Sequence, residues 1–265
     1  MDQLKLIAPV IKNSIESWLE IKAATGNLAS NTRSAYYSDL TDFFKFLAEY
    51  QNETANLLTV ENLKISDIRA WQAKQRTMNS GARSSARKLS SLKSYIRWLS
   101  KHRKFDATHI LSLKSPKFSK KLPRPLEPVD AKAVLTQCES TTTEPWIVAR
   151  DTAVLILLYG CGLRISEALN LRTQEIPLGN SIRITGKGGK VRIVPVLKIA
   201  QNAVNQYVEL CPFKLERDDK IFFGARGKPL SPKVIQNKMK FVRHLLGLPA
   251  TATPHALRHS FATHL

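Results

Sequence analysis

The stretch that decides the second half of the fold is YGCGLRISEAL, residues 159–169, which follows a long run of apolar residues. The apolar run predicts a buried helix, and Gly160 and Gly162 permit a sharp turn where that helix ends. The turn places Arg164 at the start of a short second helix, three residues before Glu167. An arginine held by a rigid turn is a preorganised anion site. The alternative is an ordinary surface arginine that pairs with Glu167 along the helix.

A β-hairpin is predicted in ITGKGGKVRIVPV, residues 184–196. Apolar and polar residues alternate on both sides of a glycine-rich turn, which is typical of two antiparallel strands. Lys187 lies at the tip, where a lysine is either part of a simple turn or able to donate a proton to a leaving oxygen in a groove. The pattern GxxxxGK[ST] is absent, which excludes a P-loop. A third short strand is predicted at Ile221–Phe223.

A third motif is TPHALRHSFATHL, residues 253–265, where the cap Thr253 and a proline predict the start of a helix. His255 and Arg258 share one face of its first turn, and a helix N-terminus favours an anion. His255 and His259 also have the spacing of zinc-binding histidines. No glutamate lies between them and Arg258 repels a cation, so we predict no metal site.

The first part of the chain predicts a small all-α domain with four helices. The last of these carries six basic residues and no carboxylate. A charged helix face is usually only solvated, but a face of one sign favours contact with phosphates. Two of the predicted helices cover Ile7–Ile21 and Ala82–His102. The other two begin at Ser30 and at Ser66.

A basic, proline-rich segment, LKSPKFSKKLPRPLEP at residues 113–128, separates the two parts. Prolines at this density prevent a continuous helix and stiffen a connection. The predicted organisation is a helical domain over 1–112, a linker over 113–128 and an α+β domain over 129–265. The linker is either simply solvated or also crosses a phosphate backbone. The fold class is therefore mainly α with a small β-sheet.

Composition narrows the class of partner. The chain has 265 residues, with 41 Lys and Arg against 21 Asp and Glu, and a formal net charge of +20. A hydrophobic fraction of 43% predicts a folded protein rather than a basic tail, so nucleic acid is the expected partner. Three cysteines without a CxxC pair indicate a reducing, cytoplasmic environment. No membrane-spanning segment or export signal is predicted.

The three motifs, in this order and spacing, resemble the tyrosine recombinases of the phage-integrase family, and most closely the Xer type. Two segments of the first part are similar to the SAM-like, core-DNA-binding domain of that family: SNTRSAYYSDLTDFFKFL, residues 30–47, and ARKLSSLKSYIRWL, residues 86–99. The resemblance covers essentially the whole chain.

The resemblance implies a role for four residues. Arg164 and Arg258 match the arginines that bind the scissile phosphate, and Lys187 matches the lysine that protonates the departing 5′ oxygen. His255 matches the histidine that assists proton transfer. No cofactor is implied, because the phosphotyrosyl ester keeps the energy of the phosphodiester. The candidate DNA contacts of the first domain are Arg33, Tyr36, Arg83, Arg87 and Lys88.

The resemblance also implies a double-stranded recombination site and a second Xer-type protomer in a tetrameric synapse, in the resolution of chromosome dimers during cell division. The family's nucleophilic tyrosine lies beyond the H-x-x-R motif, so we expect these residues to form a fragment that binds DNA without cleaving it. A non-catalytic DNA-binding protein on the same scaffold is the alternative, and a metal-dependent nuclease would need a carboxylate cluster that the sequence lacks. All six tyrosines precede that motif: Tyr36, Tyr37, Tyr50, Tyr95, Tyr159 and Tyr207.

Overall fold

The computed structural model describes residues 6–25, 28, 30–116, 125–139, 144–186 and 189–264, with the backbone alone at residues 30, 31 and 139. The chain divides into two compact units, Met1–Lys120 and Lys121–Leu265. No helix among the described residues is both long enough and apolar enough to cross a membrane.

The first unit is all α, as predicted, with two short helices besides the four long ones. Helix α4 begins one residue before the predicted cap, Ser66. The cap is formed instead by Asp67, whose carboxylate accepts a hydrogen bond from the backbone nitrogen of Lys64 at 2.9 Å. The helices are α1 (Pro9–Ala24), α2 (Ser30–Gln51), α3 (Leu57–Glu61), α4 (Ile65–Thr77), α5 (Ala82–Arg103) and α6 (Thr108–Leu111).

Aromatic side chains fill the core of the first unit. The rings of Phe43 and Trp71 meet edge to face with centroids 4.9 Å apart. Tyr95 meets both Trp18 and Phe44 in the same way, at 5.6 and 6.0 Å. All five side chains are at most 1% exposed. Because buried aromatic pairs add to the free energy of burial, this cluster fixes α1, α2, α4 and α5 against one another.

The second unit contains the predicted hairpin. Strand β1 (Ser181–Thr185) pairs antiparallel with β2 (Val191–Pro195), so that Ser181 lies opposite Pro195 and Thr185 opposite Val191. Together with the surrounding helices, this confirms a mainly α fold with a small sheet. Those helices are α7 (Pro128–Glu139), α8 (Pro145–Gly160), α9 (Ile165–Ala168), α10 (Lys198–Leu210), α11 (Pro232–Leu245) and α12 (Pro254–His264).

The predicted third strand at Ile221–Phe223 does not form. These residues are buried, but Phe223 makes only an isolated bridge to Pro229. The hydroxyl of Tyr207 replaces a strand partner: it donates to the carbonyl of Ile221 at 2.9 Å and accepts from the nitrogen of Phe223 at 3.0 Å. A buried apolar run can therefore satisfy its backbone without a ladder.

Candidate active site

A glycine turn positions the first arginine of the site. Gly162 has φ +60°, and a Cβ placed there would lie 2.6 Å from Cδ1 of Phe261 in α12. Only glycine meets both conditions. The turn therefore ends α8 and makes Arg164 the N-cap of α9, as the sequence predicted.

A buried carboxylate holds Arg164 in place. Glu167 accepts hydrogen bonds from the backbone nitrogen of Arg164 at 2.7 Å and from its Nη1 at 2.8 Å. The Glu167 side chain is 7% exposed whereas that of Arg164 is 53% exposed. Arg164 is thus anchored on one side and open on the other, and both readings of the sequence hold together: it pairs with Glu167 and still presents a guanidinium face.

A second arginine on Glu167, Arg192 of β2, was missed from the sequence. Its Nη1 and Nη2 donate to the two carboxylate oxygens of Glu167 at 2.9 and 2.7 Å. The sequence did contain a signal for it. Arg192 and Val194 are two positions apart in β2, so alternation places the arginine on the same inward side of the strand as the valine.

Arg258 completes a group of three guanidinium groups around one carboxylate. Helix α12 begins at Pro254, and the Oγ1 of Thr253 accepts from the nitrogen of Ala256 at 3.3 Å, which confirms the predicted cap. Arg258 Nη1 lies 3.9 Å from Glu167 Oε2. That nitrogen is buried and finds no hydrogen-bond partner within the described part of the chain. The site therefore has an excess of positive charge and a donor that requires an acceptor.

The two histidines of α12 contact each other. Nε2 of His255 lies 3.0 Å from Nε2 of His259, and the rings cross at 81°. Burial, followed by the positive charges of His259, Arg258 and Arg164, lowers the pKa of His255 below its usual value. Over the residues that the structure covers, no group of three or more potential metal ligands occurs.

Lys187, the fourth predicted residue of the site, lies outside the described residues. The described residues on either side of it are hydrogen-bonded to each other. The nitrogen of Gly186 donates to the carbonyl of Lys190 at 2.7 Å, and that of Gly189 to the carbonyl of Gly186 at 3.3 Å.

The other three predicted residues of the site, Arg164, His255 and Arg258, belong to one unit, and Arg164 and Arg258 face the same carboxylate.

Two of the candidate DNA contacts of the first unit donate hydrogen bonds to carboxylates. Arg87 binds Asp39 through both terminal nitrogens, with Nη2 at 2.8 Å from Oδ1. Lys88 donates to Asp42 at 2.9 Å. The basic face of α5 contains no carboxylate of its own, but α2 supplies two. Pairing leaves Arg87 within reach of DNA, since its side chain is 48% exposed, whereas the Lys88 side chain is 19% exposed.

The other three candidates differ in their surroundings. Arg33 lies 4.0 Å from Glu20, and Tyr36 stacks on Trp18 with ring centroids 5.6 Å apart. Arg83 is exposed. Tyr36 therefore has a structural role in the core besides any contact with DNA.

The acid stability of the second unit is expected to depend on Glu167. Burial alone raises the pKa of a carboxyl group, but hydrogen bonds from Arg192 and Arg164 outweigh it and lower the pKa of Glu167 to about 2. A depressed pKa stabilises the fold above the pKa of the unfolded chain, and that stability is lost as the pH falls through the folded value. We expect about 3 kcal/mol of the free energy of unfolding to disappear between about pH 5 and pH 2.

Chemical denaturation at a series of pH values measures this loss. The variant Glu167→Gln should show a smaller decline over the same range, while Glu209→Gln, an exposed glutamate on α10, should decline like the wild type. Equal pH dependence in all three proteins would contradict the prediction.

The titration of His255 is expected to report the arginine pair. Because the charge of Arg258 contributes to its lowered pKa, Arg258→Gln should raise the pKa of His255, and a bound phosphate should raise it as well. Carbon-detected NMR of the histidine Cε1 signals across pH measures both shifts. Arg217→Gln, at an exposed position, removes the same charge elsewhere and should leave the His255 curve in place. If Arg258→Gln leaves the pKa of His255 unchanged, the two groups are not electrostatically coupled.

Comparisons with known proteins agree with these observations. Residues 124–265 match the model of the phage integrase family, and residues 15–103 match its N-terminal SAM-like domain. A tyrosine recombinase XerC of Agrobacterium fabrum is 45% identical over 263 residues, which cover 99% of this chain and 84% of that protein.

Two solved structures have the same fold. XerH recombinase bound to its difH substrate gives a TM-score of 0.71 at 18% identity, with 99% of this chain and 87% of that chain covered. A lambda integrase dimer bound to a core site gives 0.70 at 18% identity, with 94% and 68% covered. The chain therefore belongs to the phage integrase family, as a tyrosine recombinase of the Xer type. The predicted family and enzyme class are confirmed.

Proposed function

We propose that this chain acts in site-specific recombination of double-stranded DNA and holds one backbone phosphate between Arg164 and Arg258. The observation that carries the proposal is the buried Nη1 of Arg258, which has no hydrogen-bond partner in the described residues. It lies beside a carboxylate that two other arginines already occupy. Three guanidinium groups and one carboxylate leave a net charge of about +2, which favours a phosphate over a neutral group.

The chemistry follows from where charge develops. Attack of a tyrosine hydroxyl on a phosphodiester adds negative charge to the non-bridging oxygens. Arg164 and Arg258 stabilise that charge with fixed donors. In this proposal His255 assists proton transfer and Lys187 protonates the departing 5′ oxygen. The 3′-phosphotyrosyl ester conserves the bond energy, so rejoining needs no cofactor.

The biological role that we propose is the resolution of chromosome dimers, with a second Xer-type protomer in a tetrameric synapse. Its support is the identity of 45% to a recombinase named XerC and the shared fold of XerH bound to difH. A cytoplasmic location accords with this role and with free thiols at Cys138, Cys161 and Cys211.

The domain organisation is part of the proposal: a DNA-binding domain over 1–112, a linker over 113–128 and a catalytic domain over 129–265. Helix α6 ends at Leu111, which supports the end of the first domain. Helix α7 begins at Pro128, the last residue of the proposed linker, and Leu126 already packs in the core of the second unit. We propose that DNA contacts the exposed basic side of the first domain and crosses the linker. The proposed contacts are Arg33, Tyr36, Arg83, Arg87 and Lys88.

A further basic surface supports DNA binding by the second unit. A cavity of about 370 Å³ between α11 and the start of α12 is lined by Lys233, Lys240 and Arg243, and also by His255. Helix α11 carries no acidic residue. This surface was not predicted from the sequence. That α11 lies next to His255 depends on how the two helices pack.

Electrophoretic binding to a short duplex with two inverted half-sites tests the proposal. The polypeptide of residues 1–265 should shift the duplex, and Arg164→Gln with Arg258→Gln should weaken the shift by about tenfold or more. Arg217→Gln is the matched control for charge. Equal affinity of the double variant and the control would overturn the phosphate site.

A nicked suicide substrate tests the remaining expectation. The polypeptide of residues 1–265 should bind this DNA without becoming covalently attached, since each of its six tyrosines precedes the H-x-x-R motif. A covalent protein–DNA adduct on a denaturing gel would show that one of these tyrosines is the nucleophile.

A further inference from the structure

We infer that Arg192 is a positioning residue, which occupies the Glu167 carboxylate and so leaves Arg258 available to phosphate. The same contact ties the β1–β2 hairpin to the arginine pair. The inference rests on the proposed function, since it concerns the phosphate site formed by Arg164 and Arg258.

The Glu167 carboxylate accepts four hydrogen bonds. Oε1 accepts from Nη1 of Arg164 and Nη1 of Arg192, and Oε2 accepts from the backbone nitrogen of Arg164 and Nη2 of Arg192. A carboxylate offers about four lone-pair positions, so these four donors fill it. Arg258 Nη1 remains at 3.9 Å from Oε2, close enough to be attracted but not hydrogen-bonded.

Arg192 also determines whether Arg258 bonds to Glu167. Without Arg192, two acceptor positions on Glu167 become open next to the unpartnered nitrogen of Arg258. A buried donor without a hydrogen-bond partner and a buried carboxylate with two open acceptor positions gain by pairing with each other. Arg258 would then bond to Glu167, and the phosphate would have to compete with that carboxylate. Arg192 prevents this competition.

Arg192 belongs to the β1–β2 hairpin. Arg192 lies opposite Ile184 in the register, and its Nη1 is 3.7 Å from the position a Cβ of Gly186 would take. Gly186 directly precedes Lys187. The guanidinium of Arg192 therefore lies close to Gly186 at the end of β1 and bonds to the carboxylate that anchors Arg164.

The exposure of β2 places Arg192 on the inward side of the strand. Val194, on the same side, is 6% exposed, whereas Val191 and Ile193 on the other side are 56% and 71% exposed. Because Arg192 shares the side that buries Val194, its guanidinium is turned toward the buried Glu167.

Inorganic phosphate titrated into the 265-residue chain tests the inference, with the arginine Nε–H signals followed by NMR and assigned with Arg164→Lys and Arg258→Lys. The variant Arg192→Gln should lower the affinity for phosphate about tenfold, because Arg258 can then bond to Glu167 and phosphate must displace that carboxylate. The variant Arg192→Gln with Glu167→Gln removes the competing negative charge and should recover part of the lost affinity. Full recovery is not expected, because Glu167 also anchors Arg164. Arg183→Gln is the matched control, because Arg183 is an exposed arginine on the other strand of the same hairpin.

The outcomes separate the two proposals. Equal phosphate affinity for Arg192→Gln and Arg183→Gln would overturn the inference alone. So would a loss in Arg192→Gln that Glu167→Gln does not restore even in part, since that pattern indicates a purely structural role. A wild-type chain in which phosphate leaves the signals of Arg164 and Arg258 unchanged would overturn both proposals. If Arg192→Gln does not fold, Arg192→Lys replaces it: one ammonium cannot fill both oxygens, so an intermediate affinity is expected, and wild-type affinity would contradict the inference.

Discussion

A rise in salt from 50 to 200 mM is expected to weaken the binding of this chain to duplex DNA by about 10³-fold or more. The chain has a formal net charge of +20, and each cation that contacts a phosphate releases a condensed counterion. About six to ten phosphate contacts produce a loss of this size. This is a reasonable number for basic residues on α5, on α11 and in the linker.

Fluorescence anisotropy of a labelled duplex at several salt concentrations measures the slope of log K against log salt. Arg258→Gln should reduce the magnitude of that slope by about one, because it removes one phosphate contact. Arg217→Gln, an exposed arginine of the same unit, should leave the slope unchanged. A flat dependence in the wild type would contradict a binding mode dominated by phosphates, and equal slopes in the two variants would exclude Arg258 from the contacts.

Local sequence rules predicted the elements that local interactions determine. The hairpin, the glycine turn before Arg164 and the capped start of α12 each depend on residues within a few positions of one another, and all three are confirmed. The strand at Ile221–Phe223 was wrong because its backbone bonds to several separate parts of the chain. Its partners are a tyrosine hydroxyl from α10, fourteen to sixteen residues away, and the backbone of Leu171 and Leu230. No alternation pattern contains that information.

The environment of the candidate site could be predicted only in part, for the same reason. The motifs supplied Arg164, His255 and Arg258, but Glu167, the carboxylate that Arg164 and Arg258 share, was predicted only as a helical partner of Arg164. The bond from Arg192 to Glu167 joins residues 25 positions apart. Likewise, Asp39 neutralises part of the basic face of α5 from 48 positions away. Such pairs depend on how elements pack, which periodicity within one element does not determine.

The largest expected effect on stability comes from Asp151, a buried aspartate of α8. It is 3% exposed, as is its partner Arg150, whose Nε donates to Oδ1 at 2.8 Å. Arg150 also donates to the carbonyl of Phe223 at 3.0 Å, and Lys238 of α11 lies 3.8 Å from Oδ2. Asp151 therefore compensates the charge of Arg150, which is almost completely removed from water, and attracts Lys238. Asp151→Asn keeps the volume but removes the carboxylate that pairs with Arg150, and we expect a loss of about 3–5 kcal/mol in the free energy of unfolding.

Hydrogen exchange measures this loss within one molecule, because the amides of α5 in the first unit serve as an internal reference for those of α8. Asp151→Asn should accelerate exchange in α8 and leave α5 unchanged, whereas Asp218→Asn, at an exposed position with φ +69°, should change neither. The physical cause can be isolated with a second substitution. Adding Arg150→Met removes the uncompensated buried charge, so the double variant should recover part of the loss. A double variant that is less stable than Asp151→Asn would mean that the contacts of Arg150 with Phe223 and Trp146, rather than charge compensation, stabilise this part of the core.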